Sequence, residues 1–531
     1  MNRTKASAAL LSLLLASCTG LAPELKTPAM DVPGAYREAA TLEGKFRLAS
    51  EPMQQNAEWW TIFNDATLND LQARAKKSNA TIQGAAARVE QAQALVRQTT
   101  GTFYPSVTLI GNASRSDLTP NASPASNFFA AGTLSYEAQT LVKIKDARVG
   151  STANKQAAAE LLKNAELIVS GGVAENYFML RRLQAEKSLL AQTIKARSDS
   201  QNLIGKRFQE GETTKQDLLR AQAELATTQA ELSIVLKDMA LVNNALAVLC
   251  GETASSFQLA EASLPKLLPE VPAGLPSSLL ERRPDIRAAQ QTLIVNNARI
   301  GIARAAFFPN ISLTAIGGFA SDDLGELFRW SNKAWALGPL FGTAFSVPIF
   351  DAGQRAAGVD EAKARFAESA ANYRQQVLVA FKDVEDSLAT LSNQKQQYLH
   401  LQEATAAATE AAAISKLRYE EGEANYLEVL DTQRDALAAQ RALTQVQGLR
   451  FVSTVQLIRS LGGGWVEGTP EAAEVIQPVA APAPVQQQVQ EPMKLDAMPQ
   501  AAQPVAPMPT PALAPVKQPQ SQFFKDLLWD K

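Results

Sequence analysis

Two tracts without proline, one between Pro124 and Pro265 and the other between Pro348 and Pro470, constrain the fold of this chain more than any other feature. Proline breaks helix interiors, so each tract can run as helix except where Gly211 and Gly422 permit a turn. From Leu141 to Gly211 is about 70 residues, roughly 100 Å of helix at 1.5 Å per residue. A helix of that length needs a partner along its whole course. The spacing predicts antiparallel pairs: Leu218, Leu225, Leu232, Met239 and Leu246 recur every seven residues, joined by Val235, Val242 and Leu249.

The two tracts are copies of one plan. Asn79 to Pro105 overlies Arg283 to Pro309 without a gap, and RFQEGETTKQDLLRAQAEL from Arg207 overlies RYEEGEANYLEVLDTQRDA from Arg418. In each half an Ala-rich helix leads to Tyr104-Pro105 or Phe308-Pro309, and alternating residues follow. Val107 and Leu109 alternate with Ser106 and Thr108, as Ile311 and Leu313 do with Asn310 and Ser312. A second apolar, aromatic stretch comes after a loop, at Phe128 to Tyr136 and at Trp335 to Phe350. Each half therefore reads as helices, a β-hairpin (about 104–140 and 308–350) and a long helix pair with its tip near 211 or 422. The fold class is α+β, mainly α, with repeats at 55–265 and 266–469.

The N-terminus decides the compartment. Arg3 and Lys5 precede an apolar run from Ala6 to Ala16, which ends in Leu15-Ala16-Ser17-Cys18. This resembles a bacterial lipoprotein signal, which implies removal of residues 1–17, a diacylglycerol on Cys18 and a lipidated arm over 18–54. Lipid on Cys18 leaves Cys250, in AVLCGE, as an unpaired structural residue. With only those cysteines and the single His400, the chain lacks the material for a metal site or thiol chemistry, and no cofactor is expected. A net charge of -2 gives no pull toward nucleic acid. No stretch of about 20 consecutive apolar residues follows the signal, so any membrane span is expected to be β. From Pro470 the chain turns to Pro, Ala, Gln and Val, a composition that buries no core, so 470–531 reads as a disordered tail. Its end, FFKDLLWDK, has the residues of a short amphipathic motif.

Four short strands cannot close a barrel, and open edges in lipid leave backbone groups unpaired. Several copies must share one barrel, and three would supply twelve strands around a lumen. VPAGLPSSLLERRPDIRAAQQTLIVNNARIGIARAAFFP from Val271 resembles the TolC-like outer-membrane factors, in particular the lipoprotein branch serving resistance-nodulation-division pumps. So do EWWTIFNDATLNDL from Glu58, VAENYFMLRRLQ from Val173, VPIFDAGQR from Val347 and LGGGW from Leu461, in the family's order. The resemblance spans about 20 to 466. It implies a homotrimer in outer-membrane lipid, with a twelve-stranded barrel continued by a periplasmic α-helical barrel. It also implies a periplasmic adaptor (membrane fusion) protein, an inner-membrane transporter of that class, and passive exit of drugs or other small toxic compounds. The first half departs from the family in reading YEAQTLVKIKDAR from Tyr136, without the glycine turn that FDAGQR keeps at Gly353.

The resemblance also assigns working residues. Glu428 and Asp431, in GEANYLEVLD, match the carboxylate rings that gate the periplasmic end; as bare sequence they equally suit solvated helix charges. Asp217 and Tyr419 match a latch between the helix hairpins, and Ala424 stands where some members carry a second, arginine latch. Arg207, Gly211, Arg418 and Gly422 form the tips that face the adaptor, although both arginines could instead cap helix ends. Pro284 and Asp285 read as a helix start, not a phosphate site. Trp59 and Trp60 read as packing residues, and His400 as an exposed helix residue. A protein-secretion duct remains as a second use of the same architecture, and a lipid-anchored coiled-coil scaffold without a pore as a different class. No nucleophile paired with a base suggests an enzyme.

Overall fold

A computed structural model of the chain describes residues 20–30, 32–38, 54–56, 58–116, 125–137, 140–265, 267–269, 271, 282–337 and 343–466. Cys18, the signal and the Pro-rich tail lie outside the described residues.

Helix α1 (Ala66–Ser78) starts on Asp65, whose carboxylate accepts from the amides of Thr67 and Leu68, and α2 (Ala80–Gly101) starts on Asn79 in the same way. Beyond the first hairpin, α3 (Thr140–Gln209) runs for 70 residues, about 105 Å, and α4 (Lys215–Leu249) returns beside it. The second half repeats this with α5 (Pro284–Ala305), α6 (Gln354–Glu420, 67 residues) and α7 (Tyr426–Ser460). Helix α3 packs on α2, α4, α5 and α7, so the two halves share one bundle. Of the heptad residues, Val235 and Leu246 are buried, while Leu232, Met239 and Val242 pack against the buried clusters.

A short strand, β1 (Gln54–Asn56), pairs antiparallel with β7 (Gly464–Val466), tying the start of the first half to the end of the second. The main sheet holds β2 (Ser106–Ser116), β3 (Ala125–Glu137) and β4 (Asn310–Ser321), all antiparallel neighbours. On the far side of β4 stand β5 (Lys333–Leu337) and β6 (Thr343–Ser346), pairing with different stretches of it. Together β5 and β6 occupy one strand position. The second stretch expected from Trp335 to Phe350 is thus shorter at its end. Pro348 has no N–H to donate to a ladder, and Ile349 and Phe350 lie exposed beyond the last strand. Among the described residues no further strand pairs with either edge of the sheet, and the apolar Val107 and Leu109 on β2 are 74% and 87% exposed.

Among the described residues the most extensive buried apolar cluster lies where the short helices meet the long ones. Trp59 and Trp60, in a 3-10 turn (Trp59–Phe63), are both buried, and Trp59 Nε1 donates to Ser170 Oγ at 3.1 Å. Phe178 on α3 contacts Phe63 (centroids 4.7 Å apart) and stacks on Phe451 of α7 at 4.9 Å. Cys250 is buried and unpaired with another cysteine, its Sγ 3.7 Å from the Leu71 carbonyl. Burial pushes its thiol up to about 11, so it stays protonated and unreactive. Helix α4 is long and apolar enough to cross a membrane by length and composition, with mean hydropathy 1.6 over 18 residues. It lies along α3 instead, and Ile234, Leu236, Leu241 and Val248 remain exposed on it.

Pro284 opens α5 at its first turn with Asp285 beside it. Arg283 binds Asp285 at 2.6 Å, Asp383 of α6 at 3.2 Å and the Ser460 carbonyl at the end of α7 at 3.2 Å, so one guanidinium ties three helices. Burial raises the Asp285 pKa, but the hydrogen bonds and charge of Arg283, with bonds from the Ile286 amide and Gln376, outweigh it and hold the carboxyl below its usual value. A depressed folded pKa adds stability that is present above the ordinary carboxylate range and is lost as pH falls through the folded value. Asp285→Asn is therefore expected to flatten the acid limb of stability below about pH 4. Thermal denaturation of both proteins across that range checks it, and parallel pH profiles would contradict it.

Candidate functional site

The two tips are built alike. At the end of α3, Gly211 takes φ +79, Glu212 donates its amide to the Arg207 carbonyl at 2.8 Å, and Gly211 donates to Phe208 at 3.1 Å. At the end of α6, Gly422 takes φ +82, with Glu423 donating to Arg418 at 2.8 Å and Gly422 to Tyr419 at 3.1 Å. This is the glycine-terminated helix end in which the arginine supplies its carbonyl, not its side chain. The next helices start alike too. Thr214 caps α4 through the Asp217 amide, and Asn425 caps α7 through the Glu428 amide.

The arginine side chains are freed for other work. Arg207 lies over the Tyr419 ring, 5.3 Å from its centroid, so it reaches from the first tip to the second. Arg418 bridges its own turn to Glu428 at 2.8 Å. Below them Ile204, Ala221, Tyr426, Val429 and Leu430 form a small buried cluster, with Leu218 and Tyr419 against it. The structure thus brings Arg207 to Tyr419 and Arg418 to Glu428. Asp217 instead accepts from the hydroxyls of Thr214 at 2.7 Å and Thr213 at 3.2 Å, and pairs with Arg220. Within one chain, among the described residues, no hydrogen bond joins Asp217 to Tyr419. Asp431 is half exposed and pairs with Arg434 at 3.2 Å.

Arg434 leads to contacts that sequence reasoning missed. It reaches from α7 to Glu224 on α4, and Glu224 is also bound by Arg197 of α3 at 3.0 Å. Seven residues farther along α7 and α4, Arg441 pairs with Glu231 at 3.3 Å, and it also reaches Glu186 of α3 at 2.8 Å. These bridges join the second hairpin to the first along their length. The seven-residue spacing of Glu224 with Glu231 and of Arg434 with Arg441 was the available signal. Among the described residues, no group of three or more His, Cys, Asp or Glu could hold a metal ion.

The sequence profile of outer membrane efflux proteins matches twice, over residues 71–252 and 275–463, one match for each half. The chain belongs to this outer membrane efflux protein family. Among relatives of the family, the cation efflux system protein CusC of Escherichia coli K12 is 31% identical over 86% of this chain and 98% of its own. The probable outer membrane lipoprotein SilC of Salmonella typhimurium is 29% identical over 86% and 97%. The solvent efflux pump outer membrane protein SrpC of Pseudomonas putida is 31% identical over 85% and 97%. The solved outer-membrane channel OprN superposes with TM-score 0.76 at 27% identity, covering 84% of this chain and 99% of its own. CusC superposes at 0.74 with 30% identity, covering 84% and 100%. As an efflux protein of this family the chain is a TolC-like outer-membrane channel component with a long periplasmic helical extension, and it is not an enzyme.

Proposed function

We propose that three copies of this chain form the outer-membrane exit duct of a tripartite efflux pump, passively conducting drugs or other small toxic compounds from periplasm to exterior. The carrying observation is a sheet of four strand positions with no further strand on either edge among the described residues, at the head of two helices about 100 Å long, each with a return helix of 35 residues beside it. Open edges in lipid demand partners, and three sheets of four strands make twelve. The exposed apolar residues of α4 supply a face that neighbouring copies would cover. Diacylglycerol on Cys18 adds the anchor. Gly211 and Gly422, with Arg207 and Arg418, present the tips to a periplasmic adaptor protein, and an inner-membrane resistance-nodulation-division transporter feeds the duct.

Glu428 and Asp431 act in this reading as threefold rings at the narrow end, where grouped carboxylates favour cations. Asp217 and Tyr419, on the two helix hairpins, act in this reading as the gate latch. Planar-bilayer conductance of the purified trimer tests both parts. Wild type is expected to pass a small cation-preferring current that grows, or loses its preference, in the Glu428→Ala, Asp431→Ala double variant. Equal currents remove those acids from the gate. Assembled trimers that stay silent even with Asp217→Ala and Tyr419→Phe would sink the duct itself.

A further inference from the structure

The first described residues of the chain lie between helices of the two halves at the foot of the sheet. Asp146 sits on α3 nine residues after Glu137, the last residue of β3, and is 4% exposed. Its Oδ2 accepts from the amides of Leu21 at 2.9 Å and Ala22 at 3.1 Å. From α5, Arg304 Nη1 donates to the Leu21 carbonyl at 3.0 Å, and Asn297 Nδ2 donates to the Pro23 carbonyl at 2.8 Å. Arg304 stands six residues before Asn310, where β4 begins. A buried carboxylate spent on two backbone amides is a strong, charge-assisted contact that leaves its oxygen satisfied.

Two missing side chains make the approach possible. A Cβ on Gly20 would lie 2.5 Å from Asp146 Oδ1; one on Gly301 would lie 2.6 Å from the Ala22 nitrogen and collide with Asp146. The duplication shows that this arrangement is specific to one side. In the ungapped overlay of the halves, Asn297 falls on Gln93, Gly301 on Arg97 and Arg304 on Thr100. Helix α2, the counterpart of α5, carries a long arginine side chain where the close approach requires none.

We propose that Asp146, Asn297, Gly301 and Arg304 form a docking slot for the chain's own N-terminal arm, which holds the lipid-bearing residue at the foot of the sheet. The proposal rests on reading Cys18 as that residue. Cys18 lies three residues before Leu21, so a fully extended chain keeps it within about 10 Å of the slot. The acyl chains are thereby fixed beside the strands that enter the membrane, instead of trailing on a loose arm.

Hydrogen exchange of the N-terminal peptide in the full-length protein tests the slot, and the mass of the same peptide reports the diacylglycerol independently. In wild type the Leu21 and Ala22 amides are expected to exchange slowly; in Asp146→Ala they should exchange at least about tenfold faster, with peptides at the helix tips unchanged. Gly20→Val, which alters only the arm, should do the same and covers the case that Asp146→Ala fails to fold. Cys18→Ser, exported behind a cleaved signal, should keep its protection. Slow exchange surviving both slot variants would overturn the proposal. So would protection lost in Cys18→Ser with Asp146 intact, because the lipid would then be holding the arm. Slow exchange on a peptide without lipid mass would refute the anchor reading while leaving the slot in place.

Discussion

Glu224→Ala is expected to loosen the tips and raise the conductance of the channel, with a local stability loss of about 3 kcal/mol. The reason lies in what remains after the carboxylate is removed. Glu224 and Arg197 are each 8% exposed, so the guanidinium of Arg197 would stay buried without its counter-charge. Arg197 keeps its bonds to the Glu224 carbonyl at 3.0 Å and to the Thr228 hydroxyl, which places the cost toward the lower end for a broken buried pair. Arg434 is half exposed and can turn to water or to Asp431. Arg434→Ala should therefore cost about 1 kcal/mol or less. Yet it cuts the same bridge between hairpins, so the two variants separate the buried pair from the link. Hydrogen exchange across 197–228, read beside conductance, distinguishes them. Equal losses in both variants would show that the bridge, not the buried charge, sets the stability of this region.

A comparable effect is expected from Phe178→Ala, where the short helices meet the long ones. The ring is fully buried, lying 4.7 Å from Phe63 and 4.9 Å from Phe451, with Tyr177 edge-on at 5.3 Å. Truncation removes transfer free energy and leaves a cavity, together about 3–5 kcal/mol. The site joins the first-half 3-10 turn, α3 and the last helix of the second half, so the cavity weakens the contact between the repeats and not a single helix. Phe178→Leu keeps most of the volume and should cost about 1 kcal/mol. Thermal loss of the assembled protein, with exchange at 169–180, checks the order. An alanine variant as stable as the leucine one would mean that the neighbours collapse into the space.

Much of the architecture was legible because it follows from local rules that repeat. Proline placement, heptad spacing and the glycines at 211 and 422 depend on neighbours a few residues away, so helix lengths and tips could be read directly. The ungapped overlay of the halves supplied the rest of the plan, and the family profile matches each half separately. The start of α5 at Pro284 and the burial of Trp59, Trp60 and Cys250 were legible for the same reason. The site was less so. Asp217 and Glu428 occupy equivalent positions in the overlay, each following a cap residue by three, yet their partners differ. Asp217 turns to Thr213, Thr214 and Arg220, whereas Glu428 turns to Arg418.

The sequence by itself determined the duplication, the length of the two long helices, the hairpins and the compartment, because each is written in spacing, chain breakers and the signal before Cys18. The tertiary structure alone decided which charges meet. Glu224 with Arg197 and Arg434, Arg283 with Asp383, and Asp146 with the Leu21 and Ala22 amides join residues between 27 and 210 positions apart. Such pairs arise only where packing brings two helices together and excludes the water that would otherwise satisfy each group; spacing such as that of Glu224 with Glu231 marks candidate charges but not which partner each one meets.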